Sequence, residues 1–596
     1  MKTTTTKKIR ARAMGAAMVA FGLLQLSTQV HALSFQPSED VKVDVDTTLT
    51  YGRQWRTTGR DKNLLVSDDP AGALRDGAGS KSFWELVQRT NGDDGNRNFE
   101  KGDVVSSRFS GLVDIDASYK NVGFFVRPQI FYDEVPYGKT SWDCRYVCDN
   151  SLYAPGYENG KGINNSWASG ESNNPSHFGS DYQETLGYQA RFLDAYAYGS
   201  FGLGDHTLTM RVGRQVISWG EALMLQGGIA FAQNRMDASA ATAPGVDLKE
   251  VFLPTGAVYG SLDVTEKVTV EAYWQYEWIP TTLLPTGSFF SMQDMIDGDV
   301  FLSQGLGKLG TYPMYRHTVE PNDNNQFGFA TRYLLGEGTE LAAYLVNYTD
   351  KAPSFWAANK TATVVTTPEP LTDSYAVNYF DNIRMYGLTL NTVVGGVQTG
   401  IEYAYRANAP IQTGCSAEII RSGQCKDPSL PTMLTKYTDP EALQYVLVGW
   451  PVRAEIHTLN VGGTYIFQPN ALWDTAMLVG EVGGWYVGGF ENGQLQFAPL
   501  GGFTKYGEGM SAQFVPEYKN VMEGVDLAIP FFMNYGIDGS LSTFNYNEHG
   551  LWMSVGAEAT YLEHWKLASY YNAFSGPDTY LWGDRDNVSF NVKYIF

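Results

Sequence analysis

The sequence predicts an all-β protein, a transmembrane antiparallel β-barrel of about 18 strands with short periplasmic turns and long extracellular loops. Three observations lead to this prediction. The chain begins with a leader typical of exported proteins, its later segments alternate between apolar and polar residues, and the connections between those segments alternate between short and long.

The composition agrees with many strands joined by turns. The chain of 596 residues contains 63 Gly, 37 Tyr, 31 Phe and 14 Trp, while only 18% of its residues are charged, against roughly 25% in typical soluble domains. A net charge of −21 excludes a basic surface for nucleic acid. A hydrophobic content of 43% excludes a disordered chain.

Residues 1–32 are predicted to be a signal peptide. Five basic residues precede an apolar run over residues 13–26, and Val30, His31 and Ala32 form a small-residue cleavage site. The alternative is a membrane-anchoring helix, but the run is shorter than the roughly 20 residues that a spanning helix needs. The remaining residues, 33–596, are then the barrel of an exported protein in the bacterial outer membrane.

Period-two alternation defines the strands. Val41, Val43 and Val45 fall on one face of the first segment, and Lys42 and Asp44 fall on the other. A charge on the lipid face near the membrane midplane costs about 2–4 kcal/mol, so the apolar phase is expected to face lipid and the charged phase the lumen. The same separation of charged residues recurs at 113–119, 268–277, 397–406 and 551–561.

The lengths of the connections between strands distinguish a membrane barrel from the alternative fold, stacked soluble β-sandwiches. The predicted strands lie near 41–55, 107–119, 122–132, 191–201, 207–217, 256–263, 267–278, 325–335, 339–348, 383–393, 396–406, 455–467, 473–486, 510–519, 523–533, 549–561, 565–573 and 586–596. Short and long connections alternate between them, as periplasmic turns and extracellular loops do in barrels. The last strand ends on Phe596, which resembles the C-terminal strand of bacterial outer-membrane proteins that the barrel-assembly machinery recognises.

The four cysteines are predicted to form two local disulfides. Cys144 and Cys148 share one loop, and Cys415 and Cys425 share another. A metal site is the alternative, but neither pair has companion His or Cys residues at zinc spacing. We expect no metal, no cofactor and no catalytic residue.

Three segments resemble a known family. They are 91–99 with 101–108, then 211–221, then 248–278, and they are similar to proteobacterial outer-membrane proteins catalogued as domain of unknown function 1302. Members are often encoded beside inner-membrane exporters of the resistance-nodulation-division (RND) type and a periplasmic companion protein. The resemblance implies passage of small hydrophobic or amphipathic compounds across the outer membrane. The further expected partners are outer-membrane lipids and lipopolysaccharide.

Residues 218–255 form a loop that is too apolar to lie in water, since it contains Leu223, Leu225, Ile229 and Phe231. One hypothesis is that this loop folds into the barrel mouth as a constriction. The alternative is a loop that packs against neighbouring loops.

Charged residues in the lumen phase and in this loop are candidates for a substrate pathway. They are Arg127, Arg211, Glu221, Arg235, Asp237, Glu271, Glu402 and Arg406. The alternative for each is structural pairing across the interior. Their mixed signs argue against a dedicated anion path, which requires one sign.

Two other functions stay open. A lipid hydrolase would need a serine nucleophile paired with a histidine. His457 lies on a predicted strand in the lipid-facing phase, but no sequence motif identifies a serine that would pair with it. The other is a structural or surface-recognition barrel, whose long extracellular loops would serve as recognition surfaces and which would transport nothing.

Overall fold

The computed structural model describes residues 33–61, 94–141, 177–179, 182–291, 300–304, 311–321, 325–336, 338–358, 373–412, 447–448, 451–490, 504–540, 547–577, 580 and 582–596. The predicted signal peptide and all four cysteines lie outside the described residues.

Eighteen strands form one closed antiparallel barrel, which confirms the predicted fold class and strand number. The strands are β1 (Val41–Arg56), β2 (Val104–Tyr119), β3 (Val122–Asp133), β4 (Tyr188–Leu203), β5 (His206–Gln215), β6 (Thr255–Thr265), β7 (Val268–Gln275), β8 (Gln326–Gly336), β9 (Thr339–Tyr348), β10 (Ile383–Val394), β11 (Val397–Gln412), β12 (Pro451–Phe467), β13 (Thr475–Phe490), β14 (Tyr506–Met522), β15 (Val525–Ala528 and Phe531–Asp538), β16 (Leu551–Tyr561), β17 (Trp565–Ser575) and β18 (Asn587–Ile595).

The barrel closes where β18 pairs with β1, from Ile595 opposite Thr48 to Asn587 opposite Arg56. Strand β1 extends past this seam on the periplasmic side, so part of its edge has no partner in β18. A short strand, Leu33–Ser38, folds back and pairs with that part of β1. The N-terminal strand thereby covers an edge that would otherwise be open to pairing with other chains.

The alternation within strands separates a lipid-facing surface from a polar lumen. Phe329, Leu345 and Leu388 point outwards and are each about half exposed, as apolar side chains on a lipid-facing surface are. On the inward phase Glu402 and Glu481 are buried. This distribution is that of a transmembrane barrel.

Strand β15 is interrupted at Ile529 and Pro530. Proline has no N–H to donate to a neighbouring strand, so regular pairing stops there. The carbonyl of Pro530 still accepts the N–H of Gly556, at 2.9 Å, and the N–H of Ile529 bonds to the carbonyl of Pro516, at 3.0 Å. The wall therefore stays closed across the interruption.

Short turns lie at one end of the barrel and long connections at the other. The turn from β10 to β11 consists of Gly395 and Gly396, both with positive φ, which is the geometry of a tight hairpin turn. Three long connections contribute strands to a separate five-stranded sheet, which consists of Val300–Gln304, Thr311–Val319, Ser354–Ala358, Asp373–Asn378 and Leu447–Val448.

The helical elements are short. In the described part of the chain they are the α-helices Asp94–Asn98, Ala230–Gln233, Ala238–Ala241 and Leu248–Val251, the 3₁₀ turn Val135–Tyr137 and the π-helical turn Gln183–Gly187. Within the described ranges, none of the helices has the length and apolar character that crossing a bilayer requires.

Candidate functional site

The connection between β5 and β6, residues 216–254, runs inside the barrel, and we call it the inner segment. Trp219 and Ile229 are 2% and 0% exposed. The ring of Trp219 lies 4.9 Å from the ring of Tyr273 on β7 and 5.6 Å from that of Tyr344 on β9. A Cβ on Gly387 of β10 would lie 2.5 Å from the Ile229 side chain, so this contact with the wall requires glycine.

Two wall carboxylates bind the backbone of the inner segment. Glu402 on β11 accepts the N–H groups of Glu221 and Ile229, both at 2.6 Å, and that of Ala222 at 3.2 Å. Glu481 on β13 accepts three consecutive N–H groups, those of Leu223, Met224 and Leu225, at 3.1, 2.5 and 2.9 Å. Both glutamates are 2% exposed. Hydrogen bonds to a charged acceptor are stronger than neutral ones, so this part of the segment is firmly held.

Arg406 completes the attachment from the same strand as Glu402. Its guanidinium donates to the carbonyls of Gly227 and Gly228, at 2.8 and 3.0 Å. Strand β11 thus binds both the donors and the acceptors of the turn formed by residues 221–229.

The second half of the segment is anchored by Asp237. Its carboxylate caps the helix Ala238–Ala241, accepting the N–H of Ser239 at 3.1 Å, and it pairs with Arg191 of β4 at 2.8 Å. Arg235 lies close by, with its Nε 3.5 Å from the carbonyl of Pro254. Burial lowers the pKa of Arg235 to about 10, which still leaves it charged at neutral pH.

Arg127 lies in a charge network on the inner face of β2–β4. It bonds to Asp114 and Asp194, both at 2.6 Å, and Asp114 also accepts Lys249 of the inner segment at 3.0 Å. Arg127 therefore balances two wall carboxylates, one of which holds the segment.

Glu271 and Arg211 belong to an aromatic cluster on the neighbouring wall. Glu271 accepts the indole N–H of Trp219 at 2.5 Å, the hydroxyl of Tyr259 at 2.9 Å and the Nε–H of Arg332 at 2.6 Å. The guanidinium of Arg211 lies 4.4 Å from the centre of the Tyr259 ring. Both residues support the wall against which Trp219 packs.

Glu221 faces the interior from the inner segment itself. Its carboxylate accepts the side-chain amide of Asn391 on β10 at 2.7 Å. Burial raises the pKa of Glu221, although the Asn391 hydrogen bond opposes that shift.

A cavity of about 680 Å³ lies between residues 241–247 of the inner segment and the opposite wall, formed by β15–β18. Its wall contains the charged side chains of Glu558, Lys566 and Lys593 at the periplasmic end and, elsewhere, amides, hydroxyls and aromatic rings. The uncharged groups include those of Phe532, Asn534, Trp552, Ser554, Tyr570, Asn572, Phe574, Ser589 and Asn591. None of the eight candidate pathway residues lies in the wall of this cavity. The structure instead places all eight in the lumen or the inner segment, in contact with one another or with neighbouring wall residues.

Sequence reasoning missed the uncharged residues that line this cavity and also missed Glu481. The alternation of apolar and polar residues along the strands carried a signal for the lining residues and for Glu481. Glu481 is the one charged residue of a glycine-rich strand segment, and Ser589 and Asn591 share the inward phase of β18 with Lys593. Uncharged polar residues on the lumen phase are weaker signals than charged ones.

His457 lies on the outer phase of β12 among tyrosines. Its Nδ1 lies 2.7 Å from the hydroxyl of Tyr403, and its ring lies 4.9 Å from that of Tyr405 and 6.2 Å from that of Tyr486. Such a cluster is typical of the aromatic belts at membrane interfaces. Within the described ranges, no group of three or more His, Cys, Asp or Glu residues is arranged to hold a metal ion.

The fold and the lumen define a class: a transmembrane β-barrel whose interior is partly filled by one of its own connections. The chain belongs to the family described as "Protein of unknown function (DUF1302)", which matches residues 13–596 and confirms the resemblance found in the sequence.

No curated protein matches the chain. Among solved structures, it is similar to OccAB1 of Acinetobacter baumannii, with 11% identity and a TM-score of 0.39 over 96% of this chain and 99% of that one. It is also similar to OccK5 (OpdH) of Pseudomonas aeruginosa, with 9% identity and a TM-score of 0.38 over 94% and 98%. The outer-membrane channel DcaP of A. baumannii shows 10% identity and a TM-score of 0.33 over 94% and 99%.

Proposed function

We propose that the protein is an outer-membrane channel that passes small hydrophobic or amphipathic compounds between the inner segment and the wall of β15–β18. The observation that carries this proposal is the cavity of about 680 Å³ at that position. A volume of roughly 300–1,000 Å³ is usual for sites that hold small molecules. The mixed lining of rings and amides suits compounds that have both an apolar and a polar part.

In this proposal the inner segment is a fixed constriction. Charged residues of the predicted pathway shape the passage by holding the segment in place, as Glu402 and Arg406 do at the turn of residues 221–229. A segment attached by so many charge-assisted hydrogen bonds narrows the lumen without needing to move.

A periplasmic partner is the second part of the proposal, and the periplasmic rim supports it. At seven of the eight short turns, the described residues include an apolar side chain that is between 51% and 68% exposed. They are Tyr119, Leu203, Leu335, Val394, Leu472, Met522 and Leu562. Apolar side chains distributed around a rim are a suitable surface for a protein that encircles the mouth, such as a companion of an RND-type exporter.

The channel is tested by current recordings across planar lipid bilayers that contain the refolded mature protein, residues 33–596. The proposal expects stable unitary current steps. A protein that is folded, as judged by circular dichroism and heat-dependent migration on gels, yet carries no current would contradict a passive channel and favour a structural or recognition barrel.

The partner is tested by crosslinking from a cysteine introduced at Leu472 to the purified companion protein. A cysteine at Leu388, which lies on the outer face, is the matched control. Crosslinking from neither position, or equally from both, would contradict docking at the rim.

A further inference from the structure

The wall of the cavity changes in character along the barrel axis, and the register of β16, β17 and β18 shows the order of its layers. The extracellular layer contains Trp552 opposite Phe574, whose rings stack with centroids 5.7 Å apart. Phe532 on β15 meets Trp552 edge-on, at 4.8 Å. This layer presents aromatic surface to the cavity.

The next layer is formed by uncharged polar groups that are linked across four strands. The indole N–H of Trp552 donates to Asn572 at 3.4 Å, and Asn572 donates to Asn587 at 3.0 Å. Asn587 also accepts the amide of Gln54 on β1, at 2.8 Å. Ser589 and Asn591 of β18 continue this polar surface towards the periplasm, whereas Asn534 of β15 lies opposite Trp552, beside the aromatic rings; all three line the cavity.

Among the residues that line the cavity, charged groups appear only in the periplasmic layer. Lys566 and Lys593 lie opposite each other in the register. Lys593 forms an ion pair with Asp247 of the inner segment, and Glu558 accepts the hydroxyl of Tyr570. Two acids and two bases leave this layer with no net formal charge, whereas selection for an ion requires one sign.

We infer that this wall is a binding site for an uncharged ring compound with hydroxyl groups at its edge, such as a glycoside; the inference rests on the proposed function and specifies its substrate class. The aromatic layer buries the flat apolar face of such a ring, which is the favoured use of Trp and Phe surfaces. The amides and hydroxyls beside and below it both donate and accept hydrogen bonds, and therefore match hydroxyl groups. An ionised ligand finds no unbalanced opposite charge in the layers that contact it.

The test is calorimetric titration of the refolded protein in detergent micelles, which measures binding independently of current. The probes are phenyl β-glucoside, glucose without the aryl group, and the anionic phenyl β-glucuronide. The inference expects phenyl β-glucoside to bind more tightly than either of the other two. Equal affinity for the glucoside and the glucuronide would overturn it.

Variants test the contributions of the aromatic rings and of the polar groups to binding. Trp552→Leu should weaken phenyl β-glucoside binding roughly tenfold through loss of ring contact, and Asn534→Leu roughly fivefold through loss of a hydrogen bond. Trp274→Leu, on the outer face where Trp274 is 48% exposed, is the matched control and should leave affinity unchanged. Unchanged affinity in both lumen variants would overturn the site.

Failure of the two proposals can be told apart. Binding by a protein that carries no current would contradict the channel and support the site. Unitary current steps without selective glucoside binding would support the channel and overturn the site.

Discussion

Glu402 accepts the backbone N–H of Ile229 at 2.6 Å, a bond that joins strand β11 to a connection starting at β5. The two residues are far apart in sequence, and both are almost fully buried. A buried carboxylate is costly unless its oxygens are hydrogen-bonded. Glu402 and the inner segment thus satisfy each other: the carboxylate gains donors, and the backbone of the segment gains an acceptor.

Glu402→Gln should loosen the inner segment. The amide can present only one oxygen, so its NH₂ group is placed against backbone donors that the carboxylate had accepted. We expect a loss of about 1.5–3 kcal/mol of stability and larger fluctuations of the open-channel current. Urea unfolding in lipid vesicles measures the first effect and bilayer recordings measure the second.

The matched control is Glu517→Gln. Glu517 pairs with Lys519, whose side chain is 54% exposed, and surface pairs of this kind contribute about 0–1 kcal/mol. Equal losses of stability in the two variants would show that the hydrogen bonds from Glu402 to the inner segment contribute no more than a surface ion pair.

Replacement of residues 222–245 by a short Gly–Ser linker should raise the unitary conductance. It should also shift selectivity towards cations, because Glu402 and Glu481 would lose the backbone donors that now occupy them and would face lumen water. The reversal potential under a salt gradient measures this selectivity. Unchanged conductance in a folded variant would mean that the segment does not constrict the passage.

Lys351 should make stability depend on alkaline pH. Its ammonium donates to the carbonyl of Ala232 in the inner segment at 3.2 Å, and burial lowers its pKa from 10.5 to about 8, against the opposing effect of Asp350. Between pH 8 and 10.5 the unfolded chain then binds more protons than the folded one, so stability rises with pH across that window, by roughly 3 kcal/mol at most.

Lys351→Met removes this titration while keeping a long side chain. The difference in unfolding temperature between the wild type and Lys351→Met should therefore shift in favour of the wild type as the pH rises from 8 towards 10. A constant difference over this range would contradict a depressed pKa for Lys351.

The strands were predictable because each one carries its own pattern. A lipid face and a wet face impose period-two alternation on every strand, whatever its neighbours are. Two features lacked such a local signal. The strand Leu33–Ser38 is exposed along its whole length, so nothing forces its residues to alternate. The break at Pro530 fell inside a predicted strand, since the alternation continues on both sides of the proline.

The site was less predictable because it depends on contacts between distant parts of the chain. The sequence pointed to Glu402 and Arg406 as lumen residues, but it could not show that both bind residues 221–229. The cavity is the space that remains because the inner segment does not pack against the wall of β15–β18. Its lining residues, such as Asn534 and Trp552, become recognisable only after the path of the segment is known.

Deletion of Phe596 should separate folding from assembly in the cell. Its backbone exchanges two hydrogen bonds with Thr47 across the seam, at 2.7 and 3.0 Å, so the deletion removes only the last rung of the β1–β18 pairing. Refolding into detergent should therefore change little. If the barrel-assembly machinery recognises the aromatic ring of Phe596, the same deletion should sharply reduce the amount of barrel in the outer membrane. Phe596→Tyr keeps an aromatic ring and is the control that should assemble normally. Equal loss of refolding and of cellular assembly in the deletion would instead assign Phe596 a structural role at the seam.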